Sequence, residues 1–161
     1  YNSVMHGQSR GFSLIEVVTI VTIIGILATV VIVGASGMAA ASRDNQRLLN
    51  ANAIAERLET FYKLNAYSTG RTYPTKHGIE VAAQSMIGDS AILIAPGSTR
   101  NSLIVATTTG TPTTMKPTQY VYQPFDANDK ICTAVPCVRF ALYYRTEFKN
   151  NIYRIDSIHQ Q

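Results

Sequence analysis

The sequence has little of what enzyme active sites are built from. Its three histidines are scattered, at His6, His77 and His159, and none belongs to an HExxH pattern. No Ser, Cys or His set has the context of a catalytic triad, and no glycine-rich segment matches a phosphate-binding loop. These absences leave no support for an enzyme, so we expect no catalytic residue and no cofactor.

Charge is almost absent from the first third of the chain. Between Phe12 and Ser42 the only ionisable side chain is Glu16. The apolar run Phe12–Val33 is long enough, as a helix, to span a bilayer core of about 30 Å. It is also too long for a buried strand, because strands usually run about 4 to 8 residues. We therefore predict a membrane-spanning helix that keeps one carboxylate near its start.

Two other interpretations of this run are open. One is a cleaved secretory signal, in which Arg10 precedes the apolar region and a signal peptidase cuts at the small residues from Gly37. The apolar region of such a signal is usually about 7 to 15 residues long and does not open with Glu. In a plain signal anchor, Glu16 would reach back to water at the membrane interface. That position costs less than mid-bilayer, where a charge is penalised by about 2.5 to 3.5 kcal/mol or more.

The stretch GFSLIEVVTIVTIIGILATVVI resembles the N-terminus of type IV pilins and of type II secretion pseudopilins. The resemblance implies that a prepilin peptidase cuts between Gly11 and Phe12, that the new Phe12 amine is methylated, and that Glu16 is the assembly glutamate. Residues 1–11 are then a leader, with Arg10 on the cytoplasmic side. A natural start is expected at Met5, which leaves Tyr1–Val4 upstream of it.

The same resemblance implies a structural subunit polymerised through its N-terminal helix, with a pilin-like α+β fold. Its partners would be identical or related pilin subunits, the peptidase, a pilus assembly platform and cytoplasmic membrane lipids. The precursor would lie in the cytoplasmic membrane with its N-terminus inside and its C-terminal domain outside, and the assembled filament would be extracellular. The alternatives are a pseudopilin or a membrane-anchored binding domain that never polymerises.

A charged Phe12 amine would supply the partner that Glu16 needs. Two opposite charges in an apolar layer offset their desolvation only when they meet in good geometry. Glu16 is one helical turn from Phe12, so the pair could form within one subunit or between neighbours. Gly25 is a weak point of the helix, since Gly costs about 1 kcal/mol relative to Ala.

No proline occurs before Pro74, so one helix is predicted from Phe12 to Ala66. Its first half, 12–41, is the membrane and filament-core part, and its second half, 42–66, is amphipathic. The apolar positions recur every three or four residues, at Leu48, Ala51, Ala55, Leu58 and Phe61 or Tyr62. Charged residues fill the intervening positions, namely Arg43, Asp44, Arg47, Glu56, Arg57, Glu59 and Lys63.

Residues 67–161 are predicted as one small domain that ends in an antiparallel β-meander, about 119–158. The three strands are Gln119–Phe125, Val138–Phe148 and Asn151–Ile158, and alternation of Phe140, Leu142 and Tyr144 with Arg139, Tyr143 and Arg145 puts one sheet face on the helix. A short helix at Val81–Ile87, a strand at Leu103–Thr107 and an exposed loop at Thr107–Thr118 precede them.

The cysteines, the acidic loop and the surface charge complete the predictions. Cys132 and Cys137 are expected to form a disulfide in an exported domain, because a lone pair is poor as a four-ligand zinc site. Asp126, Asn128 and Asp129 offer too few oxygens for a calcium site, so we predict a turn and no metal. The formal charge is +4, but no basic cluster supports contact with DNA or an anionic surface.

Overall fold

The computed structural model describes residues 12–64, 66–67 and 70–159, with the backbone alone at 30–36 and 66–67. The predicted leader, including Gly11, lies outside these residues. The described chain is α+β, as predicted, with a long N-terminal helix and a four-stranded, mostly antiparallel sheet. It divides into two compact units, Tyr1–Met38 and Ala39–Gln161.

Helix α1 runs from Leu14 to Leu64, 51 residues without a proline. The predicted helix ended at Ala66, and this boundary is wrong. Ala66 belongs to strand β1 (Ala66–Tyr67), which pairs in antiparallel fashion with β2 (Gly70–Arg71). Gly70, the first residue of β2, has a φ of +99°, a conformation that glycine adopts without strain.

The second half of α1 is amphipathic, as predicted. Its buried positions follow helical spacing: Arg47, Asn50, Ala51, Ile54, Ala55, Leu58, Glu59 and Tyr62. The prediction was wrong at three positions of this half, one apolar and two charged. Leu48 is 41% exposed, whereas Arg47 and Glu59, assigned to the solvent side, are 1% and 6% exposed. Both charged groups are buried because hydrogen-bonding partners surround them, which lowers the cost of removing them from water.

Helix α2 spans Lys76–Ile87 and begins before the predicted Val81. The Thr75 side chain accepts a hydrogen bond from the Gly78 backbone N–H at 3.1 Å and so caps the helix. Gly88, at a φ of +78°, ends it, since its left-handed conformation stops helix continuation.

The main sheet has the order β3–β4–β5–β6. Its strands are β3 (Leu103–Val105), β4 (Tyr120–Phe125), β5 (Arg139–Arg145) and β6 (Ile152–Asp156). The last three pair antiparallel and confirm the meander. The prediction of a wholly antiparallel sheet is wrong, because β3 runs parallel to β4. Residues 106–119 carry the chain back to the start of β4, and a parallel pair requires such a crossover.

Both faces of β5 are buried, the face predicted to lie on the helix and the opposite face as well. Tyr143, which alternates with the residues of the predicted helix-facing side, is 1% exposed. The neighbouring Gln123 lies on the same face of the sheet and donates from Nε2 to the Gly110 carbonyl at 2.6 Å. Arg145, also on this face, donates to the Met115 carbonyl at 2.7 Å. The loop Thr107–Thr118, which we call the threonine-rich segment, was predicted as a simple exposed loop. It covers part of the sheet face that carries Tyr143, Gln123 and Arg145.

Candidate functional site

The start of α1 places Glu16 in a capping arrangement. The Ser13 carbonyl accepts from the backbone N–H groups of Glu16 at 3.0 Å and Val17 at 3.2 Å. In return, Glu16 Oε2 accepts from the Ser13 N–H at 2.9 Å. Ser13 precedes the first helical residue, so Glu16 occupies the third helical position and satisfies an N–H that the helix leaves unpaired.

This capping contact was missed by the sequence prediction, although a signal for it is present. Ser13 and Glu16 have the S-x-x-E spacing of a capping box, directly before an apolar run. A carboxylate in the first turn also interacts favourably with the helix dipole. Glu16 therefore has a local structural role in the single chain, separate from any contact with a second chain.

Around this carboxylate, the first turns of α1 are apolar on every side. Every large apolar side chain from Phe12 to Leu27 is between 48% and 83% exposed in the single chain. These side chains are Phe12, Leu14, Ile15, Val17, Val18, Ile20, Val21, Ile23, Ile24, Ile26 and Leu27. A helix that is hydrophobic all round is stable only where lipid or other protein covers it.

The threonines of this helix are satisfied by its own backbone. Thr19 donates to the carbonyls of Ile15 and Glu16, both at 2.9 Å. Thr22 donates to the Val18 carbonyl at 2.7 Å, and Thr29 donates to the Ile26 carbonyl, also at 2.7 Å. Because these hydroxyls need no outside partner, they add little polarity to the surface of the helix.

Across the residues that the structure describes, no helix meets the joint requirement of length and apolarity for crossing a membrane. The span predicted at Phe12–Val33 includes residues 30–33, where the structure describes the backbone alone. The span therefore stays a prediction.

Gly25 lies inside α1, where the helix continues without a break. Beyond its chain neighbours and the helix's own backbone, a Cβ atom built on it would meet no heavy atom within 4 Å. Among the residues that the structure describes, packing therefore does not require glycine at this position. Its role as a weak point stays a prediction.

Cys132 and Cys137 are joined by a disulfide, with their Cα atoms 5.7 Å apart. Both are buried, and their backbone carbonyls contact Tyr73 and Lys76, just before and at the start of α2. The Tyr73 N–H donates to the Cys137 carbonyl at 2.9 Å, and the Lys76 N–H donates to the Cys132 carbonyl at 3.0 Å. The bridged loop thus joins the end of β4 to the chain before α2.

The acidic loop has the geometry of a turn. Asp126 Oδ1 accepts from the backbone N–H groups of Asn128 at 2.8 Å and Lys130 at 2.9 Å. Asp129 pairs with Arg139. These contacts occupy one oxygen of each carboxylate. Within the described parts of the chain, no group of three or more His, Cys, Asp or Glu residues is placed to hold a metal ion.

Comparison with known proteins gives a match at the N-terminal end of the chain. Residues 7–32 match the family model of the prokaryotic N-terminal methylation motif. This range contains the predicted cut between Gly11 and Phe12, and it contains Glu16. No curated protein sequence and no solved structure shows significant similarity to the chain. The C-terminal domain is therefore interpreted from its own sequence and geometry.

Proposed function

We infer that this chain is a structural subunit of a type IV pilus-like filament. The observation that supports the proposal is the prokaryotic N-terminal methylation motif at residues 7–32, which is the prepilin-type motif of type IV pilins and pseudopilins. In this proposal a prepilin peptidase cuts between Gly11 and Phe12, and the Phe12 amine is methylated. The mature subunit then polymerises through its N-terminal helix. Catalysis belongs to the processing and assembly proteins.

The apolar surface of α1 supports polymerisation. In the single chain Phe12 is 79% exposed and Leu14 is 83% exposed, and the residues that follow are apolar on all sides. Burial of apolar surface contributes roughly 25 cal/mol per Å², so a helix of this kind gains from any apolar cover. Membrane lipids would cover it in the precursor. The helices of identical or related subunits would cover it in the filament.

Glu16 supplies the specific contact in this proposal. After cleavage, the Phe12 amine becomes a charge in the same apolar layer, and a buried charge without a partner is strongly unfavourable. One oxygen of Glu16 accepts from the Ser13 N–H, and the second oxygen, which has no hydrogen bond within the described part of the chain, can accept from an amine. An incoming subunit would place its Phe12 amine there, which couples processing to assembly.

The compartment follows from this proposal. The precursor would lie in the cytoplasmic membrane with its C-terminal domain outside, where the Cys132–Cys137 disulfide is chemically stable. An assembly platform would extract mature subunits and deliver them to an extracellular filament.

Electron microscopy of sheared cell-surface fractions, labelled with an antibody to this chain, tests the proposal. Long labelled filaments would support it. A pseudopilin is the second candidate, because the methylation motif is shared by both groups of proteins. It predicts an N-terminus cut at Phe12 but no long surface filaments. An uncut membrane-bound chain would instead favour a binding domain that never polymerises.

A further inference from the structure

Strand β6 lies at one edge of the main sheet, next to β5. Just before β6, the Asn151 carbonyl accepts from the Thr146 N–H at 2.9 Å. Just after it, the Ser157 N–H donates to the Phe140 carbonyl at 3.0 Å. Asn151 and Ser157 therefore face β5. Because backbone groups alternate in direction along a strand, every second residue between them faces β5 as well.

The remaining residues of β6 direct their backbone groups away from the sheet. These residues are Ile152, Arg154 and Asp156. Among the residues that the structure describes, none forms a hydrogen bond with these outward N–H and C=O groups. Proteins usually protect such an edge with proline, lysine, a bulge or a covering element. Strand β6 contains no proline or lysine, and it pairs with β5 at each of its five residues without a bulge. Its outer edge can therefore accept another strand.

The two charged side chains of this edge have opposite signs. Arg154 and Asp156 are two residues apart, so both project from the same face of the sheet. Within one chain they form an ion pair at 2.6 Å, and their side chains are 47% and 46% exposed. A second chain can therefore reach both charges. An edge that carries one charge of each sign can be complementary to a copy of itself.

We propose that two copies of this chain pair through their β6 edges, antiparallel, with Arg154 of each copy opposite Asp156 of the other. Both residues have outward backbone groups, so each of these pairs would exchange two backbone hydrogen bonds. Ile155 would lie on the twofold axis, opposite its own copy. The neighbouring registers that align outward residues place Arg154 opposite Arg154, or Asp156 opposite Asp156. Like charges directly opposite each other are destabilising, so the charges select one register.

The proposed pair is closed and reversible. Because a twofold contact uses the same edge on both copies, it leaves no β6 edge free for a third chain. One short strand from each copy gives a smaller contact than stable interfaces, which bury about 1,200 to 2,000 Å². We therefore expect a dimer that dissociates on dilution. The inference goes beyond the proposed filament and does not depend on it.

Cysteine cross-linking of the full chain in detergent micelles tests the register. Opposite residues that share no backbone hydrogen bonds, as the two copies of Ile155 would be, have Cα atoms about 4.5 Å apart, within reach of a disulfide. Ile155→Cys should therefore give a cross-linked dimer under mild oxidation. Tyr153→Cys is the matched control, because this position would face Ser157 of the other copy, and it should give background dimer only. Equal yields from the two variants would overturn the proposal.

Charge exchange in the Ile155→Cys chain tests the complementarity. Arg154→Asp alone, or Asp156→Arg alone, places like charges opposite each other and should lower the dimer yield about three- to ten-fold. The double exchange makes the opposite charges face each other again and should restore the yield. Since both side chains are exposed, these variants should fold like the starting chain. A double exchange that stays as low as the single variants would overturn the proposal.

Amide hydrogen exchange in the unmodified chain gives a test that needs no added cysteine. The outward N–H groups of Arg154 and Asp156 should exchange more slowly as the protein concentration rises, because the second copy would accept their hydrogen bonds. In Arg154→Asp, the Asp156 N–H should lose this dependence on concentration. Rates that do not change with concentration in the unmodified chain would overturn the proposal even if Ile155→Cys failed to fold.

Discussion

A guanidinium nitrogen of Arg47 lies 3.1 Å from a carboxylate oxygen of Glu147, one hundred residues further along the chain. The same side chain donates to the carbonyls of Pro117 at 2.8 Å and Pro96 at 3.1 Å. It also pairs with Asp44 at 2.6 Å. One buried cation on α1 therefore holds three separate loops, those before β3, before β4 and between β5 and β6.

Replacing this cation should destabilise the C-terminal domain. Arg47→Met would remove the donor to two partly buried carbonyls and the cationic partner of the Asp44 carboxylate, and removing one member of a buried pair costs about 3 to 5 kcal/mol. Arg43→Met is the control, because Arg43 also pairs with Glu147 but is 41% exposed, and exposed ion pairs contribute little to stability. Urea unfolding followed by tyrosine fluorescence measures both. Equal losses would contradict the assigned role of Arg47.

The same cluster should make the domain sensitive to acid. Hydrogen bonds from Arg43 and Arg47 lower the pKa of Glu147 to about 2. Burial raises the pKa of Asp44, but hydrogen bonds from the Glu147 and Phe148 N–H groups and from Arg47 bring it below its ordinary value. Both carboxylates bind protons more weakly in the folded state, so their contribution is present above about pH 4 and is lost as the pH falls toward about 2.

We therefore expect the unfolding temperature to drop steeply between about pH 4 and about pH 2. Glu147→Gln should flatten this slope, because the amide does not titrate. Glu56→Gln, at an exposed position on α1, should leave the slope unchanged. If the Glu147 variant keeps the full slope in differential scanning calorimetry, other carboxylates govern the acid response.

Substitutions of Glu16 should block assembly at a late step. Glu16→Ala leaves the Phe12 amine of a neighbouring subunit without its partner, at a cost of about 3 to 5 kcal/mol for each contact. We expect a chain that is inserted and cut normally, accumulates in the membrane and forms few or no filaments. Filament counts in cells without a wild-type copy measure the effect.

Glu16→Gln separates assembly from helix capping. Its amide oxygen can still accept from the Ser13 N–H, as Glu16 does at 2.9 Å, but it lacks the charge. If the charge is required, this variant fails like Glu16→Ala. If capping is the whole role of Glu16, the amide variant assembles normally. Normal filament numbers with either variant would contradict the proposed pairing with Phe12.

Processing should leave a defined N-terminus. Mass spectrometry of the mature protein is expected to find a chain that begins at Phe12 and bears one added methyl group. An intact leader, or a new terminus near Ala40, would point to a different membrane anchor or to a secretory signal. The same spectrum taken from cells without the prepilin peptidase serves as the control.

The disulfide should be present in the isolated protein and should contribute modestly to stability. Peptide mapping without reductant is expected to recover Cys132 and Cys137 joined. A loop this short restricts the unfolded chain less than a 15-residue loop, whose closure is worth about 3 kcal/mol, so the double change to Ala should cost roughly 2 kcal/mol. Free thiols in freshly isolated protein would contradict the pairing.

Local patterns predicted much of this fold. The strands β4, β5 and β6 were found from aromatic and β-branched runs with turns between them, and the long helix from the absence of proline. A strand was predicted at β3, but its parallel pairing with β4 was not, because the sequence of a three-residue strand does not indicate which strand it pairs with. The buried positions of Arg47 and Glu59 were missed for a similar reason.

Their burial depends on partners far along the chain. Arg47 binds the Pro117 carbonyl, and Glu59 binds the Ile158 N–H, 99 residues away. On the helix alone, both residues look like ordinary solvated charges. Helical periodicity identifies a buried face only for apolar residues, so a charged residue buried by distant partners is assigned to the wrong side. The candidate site was predicted from local spacing, apart from the Ser13 contact of Glu16.

The attachment of the threonine-rich segment has a practical use for labelling. The segment is fastened to the sheet at the carbonyls of Gly110 and Met115. Between these two points Thr113 and Thr114 are exposed and do not belong to a strand. Lengthening a surface loop costs little free energy, and exposed loop tips are where insertions are best tolerated. An antibody should therefore recognise an epitope peptide inserted between Thr113 and Thr114, and the insertion should leave the hydrogen bonds to the Gly110 and Met115 carbonyls intact.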